Sequence, residues 1–328
     1  MFKALVLEQD SDKKTLAEIK NLSETDLPAG DVLIKVAYSS LNYKDGLAVT
    51  GLGKIIRQFP MVPGIDFVGT VEKSSDSRYQ PGMSVVLTGW GVGEQYWGGF
   101  SQYARVNGDW LVPLPEDMTA LRTMEIGTAG LTAMLCVLAL EEGGLTPESG
   151  PIIVSGAAGG VGSIAVVLLS KLGYEVAAIT GRPETGDYLK QLGASQILTR
   201  AEMAEPARPL EKQRWAGGID TVGDTILARI LAETDYSGTV AACGLAASFK
   251  LPSTVMPFIL RNVRLQGVDS VSCPYERRRL AWQRLQDLLP AELSGNVTNI
   301  IGLDQVPDYA QRIVQGQVRG RVVVDMQR

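Results

Sequence analysis

The sequence predicts an α/β protein of two domains, one rich in strands and turns, the other built on a parallel, doubly wound sheet. Three observations lead there. The chain, 328 residues long, exceeds what one hydrophobic core usually serves. Its first 110 residues hold short β-like runs between turns, whereas from about residue 126 apolar strands alternate with helical runs. Between Pro151 and Leu172 an apolar β-forming run breaks into glycine and then into a helix-forming stretch.

Taken in order, Phe2 to Leu7 and Asp31 to Ser40 read as strands, with Leu27-Pro28-Ala29-Gly30-Asp31 as the turn between them. A short helix fits Tyr43 to Val49, and further β-like runs fall at Gly64 to Glu72 and Ser84 to Thr88. The largely apolar stretch Glu125 to Leu140 predicts a helix and marks the change of domain. Beyond it the strands Ile152 to Val154, Glu175 to Thr180, Gln196 to Leu198, Gly218 to Val222 and Gly238 to Gly244 alternate with helices, as right-handed crossovers require. A charged helix over Tyr275 to Leu285 and a last strand, Gly320 to Asp325, close the chain; that strand is expected to join the N-terminal sheet. The domains are thus residues 1–125, completed by 266–328, and residues 126–265.

Composition narrows the function. Hydrophobic residues at 45% and charged residues at 20% describe an ordinary globular chain, and a net charge of −5 leaves no footprint for nucleic acid. The N-terminus alternates into charge too early for a signal peptide, so a cytoplasmic protein is expected. Pro151 to Ser170 carries no charge and approaches the length of a membrane span, but the glycines at its centre argue against one continuous helix. Histidine is absent, and Cys136, Cys243 and Cys273 lie far apart. Most metal chemistry and all histidine acid–base chemistry are therefore excluded, no metal ligands are assigned, and Cys136 and Cys243 are expected in the core.

The glycine-rich turn is the candidate cofactor site. In Ala157-x-Gly159-x-x-Gly162, the backbone of Ala158, Gly159, Gly160, Val161 and Gly162 would cradle a pyrophosphate at a helix N-terminus. Gly159 permits close approach and Gly162 lets helix and strand pack, while an alanine stands at the first glycine position. About twenty residues on, where an NAD-binding fold places a carboxylate for the ribose hydroxyls, this chain has Thr180-Gly181-Arg182. A hydroxyl and a guanidinium suit a 2′-phosphate, so Thr180 and Arg182 favour NADPH, unless Arg182 is simply a solvated surface residue.

Leu41-Asn42-Tyr43-Lys44-Asp45, Pro63 to Gly69, Gly127 to Ala133 and Ala157 to Gly162 together resemble the medium-chain dehydrogenase/reductase superfamily, in its zinc-free quinone-oxidoreductase branch. Ile219 to Asp224, Ala241 to Ala246 and Met256 to Ser270 are similar to the NADPH-dependent acrylyl-CoA reductases. The resemblance implies a GroES-like β-rich catalytic domain joined to a Rossmann domain, and a homodimer paired through an edge strand such as Arg264 to Val268. It implies Arg200 as a second phosphate ligand, and Tyr43, Leu245, Ile259 and Ser270 as cofactor contacts. Where zinc-dependent members carry Gly-His-Glu, this chain has Gly64-Ile65-Asp66. The implied reaction is NADPH-dependent reduction of the double bond of a short acyl-CoA substrate, acrylyl-CoA to propionyl-CoA. The alternatives are a quinone or alkenal reductase, and a non-enzymatic NADPH-binding structural or RNA-binding protein. Candidate catalytic residues are Tyr43 as proton donor, Asn42 and Asp45. Their plainer roles are aromatic packing, an Asx turn and a helix cap. Arg277-Arg278-Arg279 would meet the coenzyme A phosphates or form the solvated face of a helix.

Overall fold

The computed structural model describes residues 1–115, 117–290 and 298–328. The described chain divides into two compact units, residues 1–128, 270–283 and 298–328 in one, residues 129–269 and 284–290 in the other. The first unit opens with an antiparallel hairpin of β1 (Phe2–Gln9) and β2 (Thr15–Leu22). The sequence pattern does not announce β2: Leu16 and Ile19 are exposed and Glu18 and Lys20 interrupt the apolar run, so no buried face alternates. The turn from Leu27 to Asp31 accordingly leads from β2, and not from β1, into β3 (Val32–Ser40). After α1 (Tyr43–Thr50) come β4 (Asp66–Ser74), β5 (Ser84–Thr88), β6 (Tyr103–Val106) and β7 (Leu111–Pro113). β3 pairs antiparallel with β4 and β6, β4 with β5, and β5 with β7. Buried residues of these strands and of the segments around them, among them Leu5, Ile34, Phe67, Leu87 and Phe100, form this unit's core.

Helix α2 (Ala120–Glu142) is broken at Gly127, whose φ of 52° and ψ of −158° lie outside the helical region. Among the described residues it is the one helix with the length and apolar composition of a membrane span, and 89% of that stretch is buried inside the protein.

The second unit alternates as expected: β8 (Ile152–Val154), α3 (Gly160–Lys171), β9 (Val176–Thr180), α4 (Gly186–Gln191), β10 (Gln196–Thr199), α5 (Arg200–Met203), β11 (Trp215–Asp220), α6 (Asp224–Glu233), β12 (Thr234–Ala242), α7 (Met256–Arg261) and β13 (Arg264–Gly267). The sheet runs β10-β9-β8-β11-β12-β13, with every pairing parallel. The charge-free run from Pro151 to Ser170 is strand, turn and helix. Cys136 is buried, but Cys243 is only partly so, because β12 stops at Ala242 and leaves the thiol at the open end of the sheet, facing the Asp220 carbonyl at 3.4 Å.

The chain then forms α8 (Tyr275–Leu288), β14 (Thr298–Gly302), α9 (Val306–Val314) and β15 (Arg321–Asp325). β15 pairs parallel with β14 and antiparallel with β3, Val323 opposite Ser40, so the last strand does complete the N-terminal sheet. The arginine cluster on α8 does not act as one charged face, since successive helical residues point about 100° apart. Arg278 is wholly buried and donates to the Thr88 carbonyl and hydroxyl at 2.7 Å, while Arg279 pairs with Glu276 at 3.0 Å.

A Cβ on Gly127 would lie 2.6 Å from an Arg321 nitrogen, 2.8 Å from Ser40 Oγ and 2.9 Å from an Asp66 oxygen, in a backbone conformation open chiefly to glycine. Gly127→Ala is expected to lower unfolding free energy by about 3 kcal/mol, from strain and overpacking together, as read by urea denaturation.

Candidate active site

In the first unit, β3 ends at Ser40 and α1 begins at Tyr43, so Asn42 is the helix N-cap. The Asn42 N–H donates to Asp45 Oδ2 at 2.9 Å, and the Ile65 N–H donates to Asp45 Oδ1 at 2.9 Å. Both oxygens of Asp45 therefore fix backbone. With 1% of its surface exposed, Asp45 has its carboxyl pushed up to about 7, first by burial and then by the charge of Asp66. The side-chain amide of Asn42 donates to Asp66 Oδ2 at 3.1 Å, and its oxygen accepts from Arg321 at 3.2 Å.

Asp66, fully buried at the start of β4, also accepts from the Ser40 N–H at 3.1 Å, the Ser40 hydroxyl at 2.7 Å and the Thr128 N–H at 2.7 Å. Arg321, at the head of β15, donates to Ser40 Oγ at 2.8 Å and to the Glu125 carbonyl at 2.9 Å. Burial pulls its guanidinium down, and the charges of Asp66 and Asp45 oppose that. Tyr43 stands on this base with 39% of its surface exposed, and its phenol makes no hydrogen bond among the described residues. Lys44 beside it is held by Glu94 at 2.9 Å. Ser270, also in this unit, is half-buried, and its carbonyl accepts from Arg278 at 3.2 Å.

The second unit holds the glycine turn. The sheet order reverses between β8 and β11, the switch point where doubly wound sheets bind ligands at the carboxyl ends of their strands. β8 stops at Val154, and the tight turn is made by Gly156 at φ 57°, one position before the alanine of the fingerprint. A glycine directly after the β-run Ile152 to Ser155 is the signal for that residue. Ala157 and Ala158 are buried, Gly159 caps α3, and a Cβ on Gly162 would overlap the Gly156 carbonyl, so helix and turn pack in contact. Around Gly159 a Cβ would meet just the Gly156 oxygen, at 3.2 Å, which leaves the outer side open to a ligand. The N–H groups of Gly160, Val161 and Gly162 lie in the first turn of α3, where no intrahelical acceptor exists. The turn thus fits a pyrophosphate.

At the end of β9 the Thr180 hydroxyl is turned inward, accepting from the Arg182 N–H at 3.1 Å and bonded to the Thr185 hydroxyl at 2.9 Å. An Arg182 guanidinium nitrogen donates to the Ala158 carbonyl at 3.3 Å, which brings the side chain back over the glycine turn. Arg200, exposed at the start of α5, lies across Gly181, where a Cβ would be 2.7 Å from its guanidinium carbon. A cavity of about 440 Å³ opens beside them, lined by Thr180, Gly181, Thr199, Arg200, Asp224 and Thr225 among others. The structure therefore brings Arg182 and Arg200 to adjacent strand exits, with no carboxylate at the end of β9. Leu245 and Ile259 follow β12 with 61% and 73% of their surface exposed. Among the described residues no three His, Cys, Asp or Glu side chains are grouped to hold a metal ion.

Two family models match the chain, the alcohol dehydrogenase GroES-like domain over residues 28–116 and the zinc-binding dehydrogenase over residues 160–287. The probable acrylyl-CoA reductase AcuI of Escherichia coli is 60% identical over 98% of both chains, and the acrylyl-CoA reductase AcuI of Ruegeria pomeroyi is 55% identical over 99% of both. The yhdH oxidoreductase of Salmonella enterica, solved in complex with NADP, superposes with a TM-score of 0.97 at 59% identity, covering 98% of this chain and 99% of that one. By this identity over almost its whole length, the chain belongs to the medium-chain dehydrogenase/reductase superfamily, in the branch that includes these acrylyl-CoA reductases.

Proposed function

We propose that this chain reduces the carbon–carbon double bond of a short enoyl-CoA with NADPH, converting acrylyl-CoA to propionyl-CoA. The observation that carries the reading is the near full-length identity to two acrylyl-CoA reductases, joined to a nucleotide cradle with two arginines and no carboxylate at the end of β9. NADPH, when bound, supplies the hydride that adds to the β-carbon. The turn from Gly156 to Gly162 holds the pyrophosphate, and Arg182 and Arg200 take the 2′-phosphate. Tyr43, Leu245, Ile259 and Ser270 are further proposed contacts, supported by the family pattern. The thioester carbonyl draws electrons from the β-carbon, so negative charge grows on its oxygen as the reduction proceeds. The unengaged Tyr43 hydroxyl is the group proposed to meet that charge or to protonate the α-carbon. Asn42 and Asp45 hold the backbone on either side of Tyr43 and so set where its phenol stands.

The strand-rich N-terminal unit is proposed as the catalytic domain, and residues 126–265 as the nucleotide-binding domain. With no histidine in the chain to ligate zinc, the reaction is proposed to be zinc-independent. A cytoplasmic homodimer is proposed, with β13, at the edge of its sheet, as the pairing strand.

NADPH oxidation is expected to be fastest with acrylyl-CoA when acrylyl-CoA, crotonyl-CoA and a quinone are compared, and to be unaffected by a chelator. Preference for the quinone would overturn the substrate, and loss of activity restored by zinc would overturn the metal-free reading. Arg182→Ala is expected to weaken NADPH roughly ten- to hundredfold while sparing NADH, because the lost charge-assisted bonds go to the 2′-phosphate. Equal weakening of both cofactors would reject the assignment. For Tyr43→Phe, turnover should fall roughly a hundredfold with NADPH affinity nearly intact. A parental rate under conditions where chemistry limits turnover would remove Tyr43 as the acid.

A further inference from the structure

We propose that Asp224 selects the base of the bound nucleotide, its carboxylate accepting the exocyclic N6–H of adenine and rejecting bases that carry oxygen at that position. The proposal rests on reading the second unit's cavity as the NADPH site. With the pyrophosphate on the N-terminus of α3 and the 2′-phosphate between Arg182 and Arg200, the base must enter the cavity that opens beside Gly181 and Arg200. The polar groups lining that cavity are mostly committed. Thr180 is bonded to Thr185, Thr199 Oγ1 accepts from the Glu202 N–H at 3.1 Å, and Arg200 faces the phosphate. Asp224 and Thr225 remain, neither with a side-chain hydrogen bond or ion pair among the described residues. A hydroxyl serves donors and acceptors alike. An ionised carboxylate accepts only, and so reads the difference between an amino group and a carbonyl.

The placement of Asp224 is not incidental to the turn. Its φ is 55°, a conformation costly for a residue with a Cβ, and two bonds hold it there. Its own N–H donates to the Lys250 carbonyl at 2.9 Å, and the preceding Gly223 N–H donates to the buried Asp220 carboxylate at 2.8 Å. A carboxylate in a cavity that receives a phosphate also repels the ligand unless a donor on that ligand meets it. The amino group of adenine is such a donor.

The test compares NADPH with reduced nicotinamide hypoxanthine dinucleotide phosphate, which carries a 6-oxo group, in the parent, Asp224→Asn and Asp224→Gly. The glycine variant removes the carboxylate and suits the positive φ, so loss of folding does not confound it. The parent is expected to bind NADPH about tenfold or more tighter, read as Kd by fluorescence titration without acyl-CoA and seen again in kcat/KM through KM, since the oxo group would leave the carboxylate facing a lone pair. Asp224→Gly should abolish the preference, and Asp224→Asn should reduce it towards parity, as the carboxamide can accept from the amino group or donate to the oxo group. An unchanged preference in both variants, or equal losses for both cofactors, would overturn the role of Asp224. NADPH against NADH in the parent reports separately on the site: if that preference stands while the base preference ignores Asp224, this assignment alone falls. If the parent distinguishes neither pair, the cavity is not the NADPH site and both readings fall.

Discussion

A buried cluster in which Ser40 and Asn42 link the Arg321 guanidinium to the Asp66 carboxylate, with Asp45 close by, is the constraint on which the first unit depends. Arg321, Asp66 and Asp45 each expose 2% of their surface or less, and such charges persist in an interior only when paired and fully hydrogen-bonded. Asp66 accepts from Ser40 twice, from Asn42 and from Thr128, while Arg321 reaches Ser40, Asn42 and Glu125. Those partners sit at the end of β3, the cap of α1, the start of β4 and the break in α2, so one cluster fixes four junctions. Removing one partner of such a group typically costs about 3–5 kcal/mol. The C-terminal strand is thus no appendage, for it carries Arg321, which donates to Ser40 and Asn42, two of the residues that donate to Asp66.

The same cluster fixes the backbone on either side of an exposed phenol. Tyr43 lies between Asn42 and Asp45, and both neighbours spend their hydrogen-bonding groups on buried partners. Asp45, with its carboxyl near 7 on the pH scale, shares the interior with Asp66 by holding a proton through much of the range in which carboxylates are normally ionised.

Most of the second unit was legible in the sequence, because its signals are local: strand, glycine, helix, and the next strand within some twenty residues. The nucleotide turn followed from spacing, although the glycine that makes it, Gly156, lies one position before the fingerprint and is recognised by the positive φ at which β8 ends. The first unit was harder to read. β2 exposes apolar residues on a surface ribbon, so its period is hidden, and Arg278 looks on paper like one of three solvated arginines while it is in fact wholly buried. The bonds from Arg321 to Asn42 and Ser40 span 279 and 281 residues, a distance no periodicity encodes. Asn42 and Asp45 were legible as a cap, but the charges beneath them were not.

A chain without histidine must also divide its chemistry differently from one that has it. Reduction of an activated double bond asks the protein for two things besides a bound nucleotide: a donor for the charge growing on the thioester oxygen and a proton for the α-carbon. Arg321 is committed to the interior and Lys44 is tied to Glu94, so neither is free to serve. The phenol of Tyr43 can donate a hydrogen bond, and it is exposed and unengaged among the described residues. The second unit handles charge in a complementary way. Arg182 and Arg200 are the groups proposed to read the phosphate, and Asp224, which lines the same cavity as Arg200, the one proposed to read the base. On that proposal, selectivity comes from placing cations and an anion where the nucleotide offers acceptors and a donor.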